Sequence, residues 1–579
     1  MEMISDKQAK SGDLKTEKSL RLLPGIIIII IQSLVRFALP AIIPSDEALM
    51  IAVFGGVVGG LAVVVWWLFF SHAPKLDRYG TIVLMVAGLF LASRLLDKSI
   101  ATANMGLMFI LNSIPVMSLA FVLCLVASRH LSVRIRRTAM IVTILLASGV
   151  WTLLRTNGMS SNLHYYFTWR WAKTQEEIFL AQTLNEKMIP DQGISDGRDW
   201  PGFRGPDRDG IVHGSTIKTD WISSPPEELW RRQIGPGCSS FAVKSGLLFT
   251  QEQRGDEEVV TCYNLSNGEL VWIHSDKARF WDSHAGAGPR ATPTFHNNRI
   301  YTFGATGILN ALDAMNGSVI WSRNAANDTG AKNSGWGFTS SPLVTDSLVF
   351  IAASGILAAY DLATGRPEWL GPDYGKSYSS PHLITIDGVN QIVLMSDSGA
   401  ISLAPSDGKL LWKHLWPLQD RVLQPAITTE GNILLNGSMT NGTRSITVVH
   451  ESDNWKVTEN WTTTGLKPNF NDFVVHNEYA YGFNGRSLTC INIKNGRRTW
   501  QQGRYGGQLL LLADQDILLV LTETGELALV AADPEKFTEL SRVPAIKGRT
   551  WNHPILAQDI LVVRNSEEMA AFSLSPEGR

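Results

Sequence analysis

Residues 311–321 read Ala311-Leu312-Asp313-Ala314-Met315-Asn316-Gly317-Ser318-Val319-Ile320-Trp321, and the same frame returns four more times. The other copies are Cys262-Tyr263-Asn264 to Asn267-Gly268 then Trp272, and Ala359-Tyr360-Asp361 to Thr364-Gly365 then Trp369. They continue with Ser402-Leu403 to Asp407-Gly408 then Trp412, and Cys490-Ile491-Asn492 to Asn495-Gly496 then Trp500. In every copy the Gly precedes the Trp by the same interval. Asn-Gly and Asp-Gly favour positive φ, so each copy predicts two strands joined by a tight hairpin turn, with the Trp fixed at one place on the second strand.

Working outward, Trp461, Leu540 and Trp230 occupy the same place in weaker copies, which gives a period of about 40–50 residues. Two further strands precede each frame, so the unit is a four-stranded blade and the region 200–579 predicts an eight-bladed β-propeller. The last blade ends at Ala571-Phe572-Ser573-Leu574 without its Trp strand, whereas Trp230 belongs to a strand without a blade. Pairing the two closes the ring and removes an open edge. The series Trp230, Trp272, Trp321, Trp369, Trp412, Trp461 and Trp500 is therefore read as structural, with the rings packed between blades.

The N-terminal part is another kind of chain. Mean hydropathy over all 579 residues is only +0.03, because five apolar runs near 24–43, 48–70, 80–97, 105–128 and 138–154 are averaged with a polar, Gly-rich remainder. Each run approaches the roughly 20 residues that span a hydrocarbon core, and a single cleaved signal peptide does not account for five of them. The expected organisation is a tail at 1–23, a five-helix transmembrane domain at 24–155, an interfacial aromatic segment and linker at 156–199, and the propeller at 200–579. Lys7, Lys10, Lys15, Lys18 and Arg21, then Lys75 and Arg78, then Arg129, Arg134, Arg136 and Arg137 mark alternate loops as cytoplasmic. Five spans then place the propeller outside an inner, cytoplasmic membrane, in a periplasmic or equivalent compartment. Tyr165, Tyr166, Phe167, Trp169 and Trp171 suit the bilayer interface, and the stretch to Met188 suits an amphipathic helix.

Within the spans, Gly55, Gly56, Gly59 and Gly60 form two overlapping GxxxG patterns that fit either a dimer contact or packing inside the bundle. Arg36 is either a functional-site candidate or a side chain snorkelling to head groups. Asn112 and Pro115 suggest a kink.

The balance of 51 Lys and Arg against 53 Asp and Glu leaves no basic excess for nucleic acid. The four cysteines, Cys124, Cys238, Cys262 and Cys490, have no metal-ligand spacing, though a Cys238–Cys262 pair stays open.

The Ala-x-Asp-x-x-x-Gly-x-x-x-Trp frame resembles the pyrroloquinoline quinone (PQQ)-like propeller repeat. The entry motif Trp200-Pro201-Gly202-Phe203-Arg204-Gly205-Pro206 with Asp209-Gly210 is similar to the lead-in of bacterial extracytoplasmic members. This resemblance implies one of two roles. A lipoprotein relative that helps assemble outer-membrane β-barrels binds proteins without a cofactor, whereas quinoprotein dehydrogenases bind PQQ with calcium. The membrane-bound glucose dehydrogenases share the layout of five spans before a propeller. Dehydrogenases of this kind hold calcium by acidic and amide side chains, use an Asp base, and many soluble ones have adjacent cysteines; adjacent cysteines are absent from this sequence. The expected function is a binding or protein-interaction module without redox chemistry and with no catalytic or metal residues. The alternative is a PQQ-dependent sugar or alcohol dehydrogenase that passes electrons to membrane quinone.

A ligand or an envelope protein on the ring axis would meet the loops that start each innermost strand. Those loops carry Arg290, Trp336, Phe338, Tyr378, Arg421, Asn471 and Trp551, types suited to planar or anionic groups and to protein anchors. They serve equally well as caps of the channel. His284 beside Asp282 is a candidate base or a surface-loop histidine.

Overall fold

The computed structural model describes residues 20–43, 45–161, 163–183, 187–189, 197–333, 335–417, 421–452 and 454–575. The basic residues Lys7, Lys10, Lys15 and Lys18 and the connector from Pro190 to Asp196 lie outside these residues. The chain divides into two compact units, up to Ala172 and from Lys173 onward.

The first unit is helical. Four helices, Leu23–Ile42, Glu47–Phe70, Lys75–Leu95 and Met108–Ala127, are long and apolar enough to cross a membrane. The fifth apolar run lies in a helix at Val133–Gly149 that continues as a 3-10 turn to Leu153, and its first turn holds Arg134, Arg136 and Arg137. The glycine patterns serve the bundle. A Cβ at Gly55, Gly56 or Gly59 would meet Val35, Arg36 or Gln32 of the first helix, and one at Gly60 would meet Ile114 of the fourth. Arg36 sits in a π-helical turn, Leu34–Ala38, and donates to Asn112 Oδ1 at 2.9 Å, so its guanidinium has a partner inside the unit. Pro115 stands within the helix Met108–Ala127, beside Gly56. The aromatic segment expected as a linker is a hairpin, in which Leu154–Met159 pairs with Tyr165–Trp169 and Trp169 stacks on Trp171 at 5.1 Å.

The second unit is an eight-bladed β-propeller. Each of its eight blades is a sheet of four antiparallel strands, in sequence order in blades 1 to 7, and the seventh gains a short parallel fifth strand, Ile211–Val212. Blades 1 to 7 start at innermost strands Ala242–Lys244, Thr294–His296, Leu343–Val344, His382–Ile386, Ala426–Ile427, Val474–His476 and Gln508–Leu512. Blade 8 starts at Ile555–Ala557 and takes its outermost strand, Glu227–Gln233, from the other end of the unit, with Ala571 opposite Trp230. The closure legible in the sequence is therefore the closure of the ring. A helix at Gln175–Thr183 docks on blade 1, where Arg279 pairs with Glu176 at 2.7 Å and the Arg254 guanidinium lies 5.1 Å from the Phe179 ring.

The repeated frame has a clear physical cause, although the turn differs from the expected tight hairpin. In blade 2, Gly317 N–H donates to Asp313 O across a wider loop, and Gly317 alone of the pair Asn316-Gly317 has positive φ, at 71°. The Asp313 carboxylate accepts from the N–H groups of Met315 and Asn316, which fixes the loop. The bare Gly then lets the Trp of the preceding blade lie on the turn. Trp272 Nε1 donates to Ala314 O at 2.9 Å, and a Cβ at Gly317 would strike the Trp272 ring. Trp230, Trp321, Trp369, Trp461 and Trp500 donate in the same way to Leu265, Leu362, Pro405, Ile493 and Asp533 of the following blade. The exceptions follow the same logic. Blade 5 lacks the Asp-x-x-x-Gly turn, and Trp412 of blade 4 turns instead to Gln391 Oε1 of its own sheet, at 2.7 Å. Blade 8 joins its last two strands from separate parts of the chain, and blade 7 has Leu540 where the others have Trp.

Blade contacts also include a buried carboxyl. Glu258, 5% exposed, accepts from Ala305 N at 3.1 Å and Thr306 Oγ1 at 3.4 Å on blade 2. Burial, opposed by these bonds, pushes its pKa up to about 7. A pKa raised on folding gives stability that is complete below the unfolded value, about 4.3, and lost as the pH rises to about 7. Glu258→Gln is expected to remove this loss, on the order of 3 kcal/mol. Its unfolding midpoint should exceed that of wild type at pH 8, with the difference vanishing near pH 4. An equal difference at both pH values would refute the assignment.

Candidate functional site at the propeller axis

The lead-in segment Trp200–Val212 occupies the centre of the ring. Trp200 pairs with Val243 of blade 1 and Pro201 O accepts from Phe295 N of blade 2. The Arg208 guanidinium donates to Ser341 O and Pro342 O at the start of blade 3, at 3.1 and 2.9 Å. Arg204 donates to Phe473 O and pairs with Asp472 at 3.3 Å at the start of blade 6. Ile211 and Val212 run parallel to Leu511 and Leu512 of blade 7, and Phe203 meets the His553 ring of blade 8 edge-on at 5.0 Å. Blades 2 and 6, like blades 3 and 7, face each other across an eight-bladed ring, so one short loop that reaches all of them fills the axis. The loop is held in an unfavourable backbone: Arg204 and Arg208 have φ of 61° and 57°, a strain that persists where the surroundings over-determine it.

Around this loop the seven residues expected at the channel mouth separate into two sets. Five are buried braces. Arg290 donates to the Asp282 carboxylate and to Gly286 O, Arg421 to Ser396 O, Trp416 O and Asn436 O, and Asn471 to Gly506 O and Gly507 O. Phe338 packs on Phe303 in the core between blades 2 and 3, and Tyr378 N–H donates to Arg421 O. Burial holds the Arg421 guanidinium down at about 9, helped by Arg444.

Trp336 and Trp551 are only half-buried. Trp336 stacks on His284 at 5.5 Å, and His284 O accepts from Arg549, whose guanidinium also lies 4.3 Å from the centre of the Trp551 ring. Trp551 Nε1 donates to Glu523 at 2.8 Å, and Phe470 packs beside it at 5.0 Å. The loops before blades 2, 3, 6 and 8 thus form one aromatic and cationic rim. His284 belongs to this rim through stacking, since its Nδ1 lies 3.8 Å from an Asp282 carboxylate already engaged by Arg290. Sequence reading missed Arg549, which stands two residues before Trp551 in the same loop. It also missed the axial position of the lead-in loop, for which the only signal was its density of Gly and Arg.

The carboxylates beside the axis already have partners within the chain. Asp282, Asp472 and Glu523 engage Arg290, Arg204 with His553, and Trp551 respectively. Among the described residues no three His, Cys, Asp or Glu side chains come together to hold a metal. All four cysteines are free, so Cys238 and Cys262 are not paired.

A family model described as outer membrane protein assembly factor BamB matches residues 255–502. The second unit is a PQQ-like β-propeller. The assembly factor BamB of Shewanella oneidensis is 24% identical over 358 residues, which is 60% of this chain and 78% of that protein. BamB of Yersinia pestis is 21% identical over 373 residues, 61% and 80% of the two chains. Among solved structures, BamB from Moraxella catarrhalis aligns with a TM-score of 0.44 and 12% identity, covering 61% of this chain and 99% of that one. Quinohemoprotein alcohol dehydrogenase from Comamonas testosteroni aligns with a TM-score of 0.48 and 14% identity, covering 69% and 83%. The Trp frame is the PQQ-like repeat of this propeller.

Proposed function

We propose that this chain is a membrane-anchored, extracytoplasmic PQQ-like propeller that works as a protein-binding module without redox chemistry, with an envelope protein as partner. The observation that carries this reading is the filled axis: the chain's own loop takes the centre of the ring, and the mouth above it offers Trp336, Trp551, His284 and Arg549 as anchors. Half-buried Trp and Arg are the types that dominate binding energy at interfaces. The names of the relatives, outer membrane protein assembly factors, agree with a partner in the envelope.

The anchor is read as five spans with the N-terminus in the cytoplasm. Two contacts support the fifth crossing. Arg137 pairs with Asp77 at 2.7 Å, joining the starts of the third and fifth helices, whereas Arg170, beyond the fifth helix, pairs with Asp97 at 3.6 Å in the loop after the third. A reporter fused to the C-terminus is then active only outside the cytoplasm.

Two measurements separate this reading from a quinoprotein dehydrogenase. Titration of the purified full chain with PQQ and calcium is expected to show no saturable binding, and no dye reduction with sugars or alcohols; turnover would overturn the proposal. A photo-crosslinker at Trp336 should capture an envelope protein. The double variant Trp336→Ala, Arg549→Ala should weaken that partner's binding at least about 30-fold, the equivalent of about 2 kcal/mol, with an unchanged unfolding midpoint.

A further inference from the structure

The axial loop leaves one charge unanswered. Arg204 is matched: Asp472 lies 3.3 Å from it, and Asp209 acts on it as well. Asp472 also meets His553 Nε2. Arg208, four residues further along the loop and 8% exposed, has no carboxylate partner among the described residues. Its two outer nitrogens are taken by carbonyls of blade 3, while its Nε–H has no acceptor. An isolated ion buried from water is costly by many kcal/mol unless something of opposite charge accompanies it.

Other buried polar groups at the starts of the neighbouring blades are also unsatisfied, and His382 is close enough to feel the Arg208 charge. His382, 8% exposed at the start of blade 4, has an unpartnered Nδ1. Gln424, at the start of blade 5, spends its amide N–H on Ser380 O and Pro381 O beside that histidine and leaves Oε1 unbonded. Asp472 Oδ1, on blade 6, is unbonded too. Burial, together with the positive charge of Arg208 and then Arg204, holds the His382 imidazole down at about 3, so it is neutral and able to donate from one ring nitrogen. Arg208 itself is held down at about 9 by burial and by Arg204. Burial is the larger cause of both shifts and the neighbouring guanidinium the smaller, and no carboxylate contacts Arg208 among the described residues.

We propose that the propeller axis holds one small monovalent anion of halide size, bound at the Arg208 Nε–H with His382 as second donor and enclosed by the lead-in loop. The cation without a carboxylate contact sets the charge, and the unsatisfied atoms of Arg208 and His382 are shut off from solvent, which admits no more than a small ion. Gln424 Oε1 and Asp472 Oδ1 are acceptors, so water shares the chamber and completes their bonds. The ion is a structural partner of the loop, which joins the walls of the ring through it, and the site is distinct from the aromatic rim.

The test uses the full chain purified in detergent, with bromide as the probe. At constant ionic strength, exchange of gluconate for bromide or chloride is expected to raise the propeller's unfolding midpoint by several degrees and to saturate with one ion per chain. Arg208→Met should abolish the halide dependence. Crystals grown in bromide should show an anomalous peak within about 3.5 Å of Arg208 Nε, a distance suited to an N–H donor and a large anion. Equal midpoints in gluconate and halide, or water without anomalous signal at that position, would overturn the proposal. If Arg208→Met does not fold, the anomalous peak in the wild-type crystal decides alone.

Discussion

Replacing Arg204 with methionine is expected to lower the unfolding free energy of the propeller by about 3–5 kcal/mol, the range for breaking a buried ion pair from one side. The side chain is 4% exposed and answers the carboxylate of Asp472, which is 1% exposed, while also satisfying the carbonyls of Phe473 and Asp209. Its removal leaves a buried carboxylate with His553 as its remaining side-chain partner and frees two buried acceptors. Adding the second change Asp472→Asn to the Arg204→Met variant should restore part of the loss, because the orphaned charge is then gone. Burial alone would raise the Asp472 pKa, but Arg204 and His553 outweigh it and hold the carboxyl below its ordinary range. The stabilisation is therefore complete above about pH 4 and lost on acidification below it. Denaturant unfolding of the full chain in detergent at pH 7 and at about pH 2 measures both effects. A cost below about 1 kcal/mol at pH 7 would show that the axial loop is not held by this pair.

Replacing Trp230 with alanine is expected to cost a similar amount, about 3–5 kcal/mol, and to promote association between molecules. Trp230 is 9% exposed, lies on the Gly268 turn of blade 1 and donates to Leu265 O at 2.8 Å. It sits on the only outermost strand that reaches its blade from the other end of the unit, so loss of its contacts loosens the closure as well as the core. Trp412→Ala is the internal comparison. That indole bonds within its own blade, so its loss creates a cavity but leaves the ring closed. The two variants should therefore lose comparable free energy, while light scattering rises on heating for Trp230→Ala alone. Equal scattering by both would refute the special role of the closing strand.

The repeat was legible because its cause is local. A turn with a bare Gly at its end, and Asp or Asn at its start in four of five copies, is followed at fixed distance by a Trp and leaves one recognisable spacing in five stretches of the chain. Even the irregularities have sequence correlates, since Trp412 and Leu540 stand before blades without that turn. The helices were legible for a related reason, as a bilayer requires long apolar runs. The glycine patterns admitted two readings because a close approach does not name its partner, and only the contacts with Val35, Gln32 and Ile114 did.

The site was less legible. Arg290, Trp336, Phe338, Tyr378, Arg421, Asn471 and Trp551 share one topological place, but position in the topology does not give the direction of a side chain. Phe338 turns into the core and Arg421 into a nest of carbonyls, while Trp336 stays at the rim. The sequence by itself determined the helical unit, the eight blades and the strand that closes them, because period and composition report interactions between neighbours in the chain. The tertiary structure alone decided that the Trp200–Val212 loop fills the axis and leaves Arg208 buried without a carboxylate. The contacts of Arg204 and Arg208 join residues more than a hundred positions apart, and no local spacing records them.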